Sequence, residues 1–307
     1  MSPMTLVRSA LSRLRNGRPF SHLLARYAPL AASHFGAEAP YPFVRRDDIR
    51  LRHSASYLLA GTTGIEIGAG PYPSLLPPGV RCEYYDTRDA AGLAQYFAGA
   101  ATPPTRHVDE ISARFPDGVD FLIAHNVLEH TPDPIGTLLA WLRWLRRDGV
   151  AILSLPHRLV CAGDALRPAT TIEHVLLDYA LGEQSTSLGS REHFIAGCVG
   201  WAAHWPEMSK NEFAEGILRA STGAEIEHHF HVFDDVLTEK TVQAALWLRG
   251  AGRILALTSP YTDPATDGDI IVVIGESGAP VAPPELDDVR ALLQSALDRL
   301  GRGGEQS

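Results

Sequence analysis

The sequence predicts an α/β fold built on a doubly wound, mostly parallel, seven-stranded sheet. From Gly64 onward, short apolar runs of strand length alternate with turns and helical patterns, as a parallel sheet requires. The last two runs flank a turn-rich segment and are expected to close the sheet as an antiparallel pair. A glycine turn follows directly on the first run, which predicts close approach of the backbone to a ligand there.

The predicted strands follow from the apolar runs in chain order. They lie at 64–67, 80–85, 119–124, 150–155, 224–233, 253–258 and 269–275. Helical periodicity predicts helices at 135–145 and 235–248 and an amphipathic helix near the end of the chain. A further helix is expected to begin at a capping box, in which the Thr170 side chain caps the first turn and the Glu173 side chain accepts a hydrogen bond from the backbone N–H of Thr170.

The predicted domain organisation is one α/β domain with additions. Residues 1–58 form an N-terminal helical segment, 59–282 form the main domain, and 283–307 form a terminal helix and tail. Residues 157–222, rich in His, Trp and Gly, form an insert that is expected to act as a substrate lid.

Composition limits the partners. The chain has a formal net charge of −9, although its first 52 residues carry nine arginines and three acidic residues. The acidic body disfavours nucleic acid as a substrate, while the basic N-terminus could contact an anionic membrane surface. Neither a transmembrane run nor a secretory signal is recognisable, which predicts a cytoplasmic protein.

The glycine turn reads Gly68-Ala69-Gly70, with the acidic Glu66 two residues before it. A dinucleotide site would need a third glycine at position 73, where this chain has proline. The dinucleotide-binding hypothesis is therefore weakened, and a lone pair of glycines is a weak signal that can equally be structural.

The segment Ile65-Glu66-Ile67-Gly68-Ala69-Gly70 resembles motif I of class I S-adenosylmethionine-dependent methyltransferases, and the resemblance continues along the chain. It implies a Rossmann-like methyltransferase fold that holds this cofactor through Glu66, Gly68 and Gly70. Asp86, at the end of the next strand, would bind the ribose hydroxyls, and Asp109 would lie against the adenine amino group.

The stretch from Val119 to His130, followed by Thr-Pro-Asp-Pro, is similar to a longer motif of the same family. The resemblance implies that His125 and Asn126 line the cofactor. Methyl transfer is chiefly alignment, with a base needed where the acceptor is a hydroxyl. His157, just after the fifth strand of such a sheet, is the candidate base, with His125 as the second candidate.

The insert suggests a second site. Residues 167–179 resemble an insert of bacterial methyltransferases from glycan-assembly gene clusters, which implies a sugar or glycan-linked acceptor. His174 and Asp178 share a helix face, and His193, His229 and His231 could converge with them. A divalent metal held by His174, Asp178, His193 and His231 is one hypothesis, and an ordinary surface hydrogen bond is the other.

The sequence therefore predicts methyl transfer from S-adenosylmethionine, most specifically to a hydroxyl of a small molecule or glycan. Methylation of another small metabolite or of a nucleic acid remains an alternative. A third hypothesis is a non-catalytic, cofactor-binding partner in a glycan-synthesis complex.

Overall fold

A computed structural model describes residues 56, 59, 62–161, 164–165, 167–182, 229–259 and 268–276. Within these residues, seven strands form one sheet. They are β1 (Thr63–Ile67), β2 (Arg81–Asp86), β3 (Thr105–His107), β4 (Val119–His125), β5 (Leu145–Pro156), β6 (Arg253–Thr258) and β7 (Asp269–Gly275). Their spatial order is β3-β2-β1-β4-β5-β7-β6.

The α-helices of the described residues connect or follow these strands. They are α1 (Ala90–Tyr96), α2 (Ile111–Arg114), α3 (Pro134–Arg143), α4 (Ile172–Leu181) and α5 (Asp235–Arg249). Short 3-10 turns at Val108–Glu110 and Leu128–His130 follow β3 and β4.

Strand pairing confirms the doubly wound, mostly parallel sheet. β1 pairs in parallel with both β2 and β4, while β2–β3 and β4–β5 are also parallel. β6 and β7 form the predicted antiparallel pair. The chain leaves β1 toward β2 on one side and later returns on the other side as β4. The junction of β1 and β4 is therefore the topological switch point, where such sheets bind ligands.

The core lies against the central strands. Phe121 and Ile123 of β4 and Ile152 of β5 are at most 1% exposed, and they pack with Ile271 and Val273 of β7. Leu122 and Leu153, on the opposite faces of the same strands, are equally buried. Burial on both faces explains why these runs are continuously apolar instead of alternating.

One strand lies in a different place from the sequence prediction. The described part of the predicted strand 224–233 is irregular, and the remaining strand of the sheet is β3. β3 has only three residues, Thr-Arg-His, lies at the sheet edge and contains no apolar side chain. Hydrophobic periodicity cannot detect such a strand.

The start of α4 also differs by one residue from the prediction. Thr171, not Thr170, is the N-cap, and its side chain accepts a hydrogen bond from the backbone N of His174. The Thr170 hydroxyl instead accepts one from the backbone N of Val232 at 2.9 Å. Glu173 is therefore at the second helical position and cannot complete the predicted capping box.

The chain divides into two compact units. The first comprises residues 1–127, 141–155 and 252–279 and contains the sheet; the second comprises 128–140, 156–251 and 280–307 and contains α4 and α5. Within the described residues, no helix is long and apolar enough to cross a membrane. The predicted N-terminal segment, the terminal helix and residues 183–228 of the insert region, with His193, lie almost wholly outside the described residues.

Candidate functional site

The glycine turn after β1 has the backbone that the sequence predicts. Gly68 and Gly70 have φ values of 68° and 52°. A Cβ atom would lie 2.6 Å from Val127 Cγ2 at Gly68 and 2.6 Å from Phe97 Cζ at Gly70. Both the backbone conformation and the limited space therefore exclude larger residues at these two positions.

Strand register brings the predicted cofactor residues to one edge of the sheet. Ile67 pairs with Tyr85 of β2 and with Ala124 of β4. Gly68, Asp86 and His125 are each one residue further along, and the backbone N of Gly68 donates to the carbonyl of Tyr85 at 2.8 Å. The glycine turn therefore lies between the ends of β2 and β4, at the switch point.

Glu66 is 1% exposed and binds the loop that follows this turn. Its carboxylate oxygens accept hydrogen bonds from the backbone N of Ser74 at 3.0 and 3.1 Å, and from the Ser74 hydroxyl at 2.9 Å. These bonds close the loop 68–74 over the end of β1. In this geometry Glu66 shapes the turn, and its predicted part in holding the cofactor stays a prediction.

The two predicted aspartates lie at the end of β2 and just after the end of the neighbouring β3. Asp86 is 8% exposed at the end of β2, and its Oδ1 accepts a hydrogen bond from the backbone N of Arg88 at 2.9 Å. Asp86 pairs with His107 of β3, and Asp109 follows two residues later in a 3-10 turn. The Asp109 side chain is 87% exposed and lies 3.2 Å from His107 Nδ1.

His125 and Asn126 end β4 beside the turn. His125 Nδ1 is 3.0 Å from the Ser154 hydroxyl, which in turn donates to Asn126 Oδ1 at 3.4 Å. The Ser154 hydroxyl therefore links the imidazole of His125 to the side chain of Asn126, and the tautomer of His125 decides whether the imidazole or the hydroxyl donates in their contact. Asn126 has a φ of 52°, an uncommon conformation that is typical of functional sites.

His157, the first candidate base, follows directly on the end of β5. It is 2% exposed; its Nδ1 accepts from the backbone N of Leu159 at 3.2 Å, and its Nε2 lies 3.3 Å from Asp235 Oδ1. Both ring nitrogens therefore have partners within the second unit. This arrangement favours a structural role, in which His157 joins the end of β5 to the start of α5.

Three of the four predicted metal ligands come together in the second unit. His231 Nε2 and His174 Nε2 lie 2.9 and 3.1 Å from the same oxygen, Asp178 Oδ2. His231 is fully buried and Asp178 is 4% exposed. Burial lowers the pKa of His231 despite the opposing charge of Asp178, which favours a neutral imidazole. His193 lies outside the described residues.

His229 belongs to a separate cluster that the sequence did not indicate. Its Nδ1 is 2.5 Å from Asp164 Oδ2 and 4.0 Å from Cys161 Sγ. Arg167 donates to Asp164 Oδ1 and to the backbone carbonyl of His229, both at 2.9 Å. His229 and His231 would share one face of a strand, but residues 229–233 are not a strand, so they reach different partners. The i, i+3 spacing of Asp164 and Arg167 is the sequence feature that could have indicated an ion pair in this segment.

The charges in this cluster are those of an ion pair. Burial acts to lower the pKa of His229, but its hydrogen bonds with Asp164 and Cys161 outweigh burial and raise the pKa to about 10. Burial likewise acts to raise the pKa of Asp164, yet His229 and Arg167 hold it below its ordinary value. Asp164 therefore carries a negative charge between two cations at neutral pH.

No family model and no curated protein matches this chain. Among solved structures, it is similar to the CMeT domain of the citrinin polyketide synthase, with 13% identity, a TM-score of 0.38, and coverage of 74% of this chain and 52% of that chain. The CurJ carbon methyltransferase shares 16% identity at a TM-score of 0.37, over 91% and 72% of the two chains. The trans-methyltransferase CalH, in complex with SAH, shares 15% identity at a TM-score of 0.37, over 74% and 55%. The chain thus spans about half the length of the first and third proteins, and likenesses of this size do not establish a shared function.

Proposed function

We propose that this protein binds S-adenosylmethionine at the carboxyl edge of its sheet and transfers the methyl group to an acceptor. The observation that carries this proposal is the row formed by Gly68, Asp86 and His125 at the switch point between β1 and β4. In doubly wound sheets, a glycine turn after the first strand and a carboxylate at the end of the neighbouring strand together hold a nucleoside.

The residues at this edge fit the cofactor. A Cβ atom at Gly68 or Gly70 would collide with Val127 or Phe97, so only glycine lets the backbone of the turn pass this close to its neighbours. The Asp86 carboxylate can accept hydrogen bonds from both ribose hydroxyls. Position 73 is proline, and S-adenosylmethionine carries no phosphate that would require a third glycine there.

Each group at the edge has a task in the transfer. When bound, the cofactor supplies a methyl group on a positively charged sulfur. Asp86 fixes the nucleoside, and the turn at Gly68 and Gly70 sets how closely the backbone approaches it. His125 takes the proton of an acceptor hydroxyl, and its contact with the Ser154 hydroxyl orients the imidazole ring. Alignment of the acceptor supplies the rest of the rate enhancement.

The acceptor that we propose is a hydroxyl of a sugar or glycan-linked molecule. Its support is the resemblance of residues 167–179 to an insert of methyltransferases from glycan-assembly gene clusters. The net charge of −9 also supports a small or neutral acceptor over a nucleic acid, because the phosphate backbone would be repelled.

A transfer assay tests the reaction and its base together. The purified full chain is incubated with S-adenosylmethionine and a panel of nucleotide sugars and glycosides, and the S-adenosylhomocysteine formed is measured with the mass of each acceptor. The His125→Gln variant should turn over at least about 100-fold more slowly, because the base is removed. It should still bind S-adenosylhomocysteine within a few-fold of wild type.

Two results would count against parts of this proposal. If the protein methylates metabolites that have no sugar hydroxyl and methylates none of the sugars, the acceptor belongs to another class of molecule. Full turnover by His125→Gln would exclude His125 as the base. Cofactor binding without methylation of any acceptor would favour a non-catalytic, cofactor-binding role.

A further inference from the structure

We propose that His174, Asp178 and His231 bind one divalent transition-metal ion. The three residues lie within the second unit, and the proposal does not depend on S-adenosylmethionine binding to the sheet. It rests on the convergence of two imidazoles on a single carboxylate oxygen.

The geometry is that of three ligands around one point. The ligand atoms His174 Nε2, Asp178 Oδ2 and His231 Nε2 all lie within 4.8 Å of one another. The two contacts with Asp178 are 3.1 and 2.9 Å. Ligands bound about 2.0–2.2 Å from a zinc ion are separated by similar distances, so small side-chain movements suffice to admit the ion.

The donor set selects the class of ion. Two imidazole nitrogens and one carboxylate suit zinc, iron, manganese or cobalt, whereas magnesium and calcium prefer oxygen ligands throughout. Three protein ligands leave at least one coordination position for water or for an anionic or hydroxyl ligand. His174 is 39% exposed, so this side of the cluster is accessible to solvent.

The fold holds these ligands in place before any ion binds. His174 and Asp178 are one turn apart on α4. His231 belongs to an irregular segment that is fixed beside this helix by two reciprocal bonds. The backbone N of Thr170 donates to the Val232 carbonyl at 3.0 Å, and the backbone N of Val232 donates to the Thr170 hydroxyl at 2.9 Å. Preorganised ligands are needed for tight binding of a single ion.

The neighbouring cluster provides a matched control. Cys161, Asp164 and His229 also bring three ligand atoms within the same distance of one another. There, however, the Arg167 guanidinium already donates to the Asp164 carboxylate. A resident cation on the carboxylate disfavours a second cation, so this cluster is expected to remain metal-free.

Metal titration of the full chain tests the proposal. The protein is stripped with a chelator, dialysed, and titrated with Co²⁺ and Zn²⁺, following the visible absorption of cobalt and the calorimetric heat. Wild type should bind one ion, with the absorption spectrum of cobalt bound by nitrogen ligands. His174→Ala and Asp178→Asn should each lower the affinity at least about 100-fold, because loss of a ligand should exceed the 10- to 100-fold effect of an outer-shell partner. Cys161→Ser, which removes a potential ligand of the neighbouring cluster and keeps its ion pair, should bind like wild type.

Each opposite result overturns the proposal. The proposal fails if wild type binds neither Co²⁺ nor Zn²⁺, or if both ligand variants keep the wild-type affinity. Equal loss in Cys161→Ser would assign the ion to the other cluster. Because Asp178 is buried, its variant is checked by circular dichroism. The partly exposed His174→Ala variant keeps the test decisive if Asp178→Asn fails to fold.

Discussion

The sheet edge and the histidine clusters are built in different ways. At the edge, Gly68, Asp86 and His125 become neighbours because three parallel strands end there in register. In the second unit, His229 and His231 meet Asp164 and Asp178 across more than 50 residues of chain, through a segment without regular structure. A site built by strand register can be predicted from apolar runs, whereas a site built by an irregular segment requires the three-dimensional structure.

The two clusters also differ from each other, although each pairs histidine with aspartate. Asp164 lies between His229 and the guanidinium of Arg167, an arrangement that stabilises charges by pairing them. Asp178 receives two imidazoles on one oxygen. The first arrangement is expected to serve stability and the second to serve binding, and the following predictions separate these roles.

The largest expected effect is the loss of stability on breaking the Asp164 ion pair. Asp164→Asn leaves Arg167 and His229 without the negative charge that balances them in a buried position, which costs about 3–5 kcal/mol of unfolding free energy. Urea unfolding at neutral pH measures the difference. Asp117→Asn, at an exposed loop position, is the control and should stay within about 0.5 kcal/mol of wild type.

The same ion pair should make stability depend on acid pH. The pKa of Asp164 is held below its ordinary value of 3.8, so its contribution is complete above that value and is lost as the pH falls through the lower folded pKa. The difference in unfolding free energy between wild type and Asp164→Asn should therefore shrink below about pH 3.8. A constant difference from pH 7 to pH 3 would contradict the ion pair.

The sequence predicts some strands and site residues of this structure but not others. The apolar runs predicted six of the seven strands, because central strands buried on both faces are continuously hydrophobic. The edge strand Thr105–His107 lacks that signal. Resemblance supplied Asp86 and His125, but no pattern indicated that His229 would contact Asp164. The prediction that His157 is the base rested on its place after a strand, and no pattern in the sequence indicated its burial or its contact with Asp235.

The next effect concerns the glycine turn. Gly68→Ala places a Cβ atom 2.6 Å from Val127 at a φ of 68°, which should displace the turn and lower the affinity for S-adenosylhomocysteine about 100-fold. Gly79→Ala is the matched control, since Gly79 also has a positive φ of 83° but nothing within 4 Å of its Cβ position. Similar losses in both variants would show that backbone strain alone, not the cofactor turn, causes the effect.

A smaller loss of affinity is expected at the ribose position. Asp86→Asn keeps the shape of the side chain but removes its charge, which should weaken S-adenosylhomocysteine binding about tenfold, as for a charged hydrogen bond. Calorimetry of this variant beside Asp117→Asn gives the comparison. If metal binding by the second unit also changed in Asp86→Asn, the two sites could not be treated as independent.

The smallest effect concerns the start of α4. Thr171→Ala removes the N-cap of this helix and should cost about 1 kcal/mol of unfolding free energy. Thr171→Ser retains a capping hydroxyl and should restore most of the loss. Thermal or urea unfolding of wild type and the two variants measures the difference in unfolding free energy. Equal stability of all three proteins would exclude Thr171 as the cap.

Calorimetric titration of the folded full chain with S-adenosylhomocysteine tests the central claim most directly. The sheet edge predicts saturable binding of one molecule per chain, with no comparable binding of NAD, since the turn lacks the third glycine that a pyrophosphate site needs. Absence of S-adenosylhomocysteine binding by folded protein, or tighter binding of NAD, would contradict the assignment of this edge to S-adenosylmethionine.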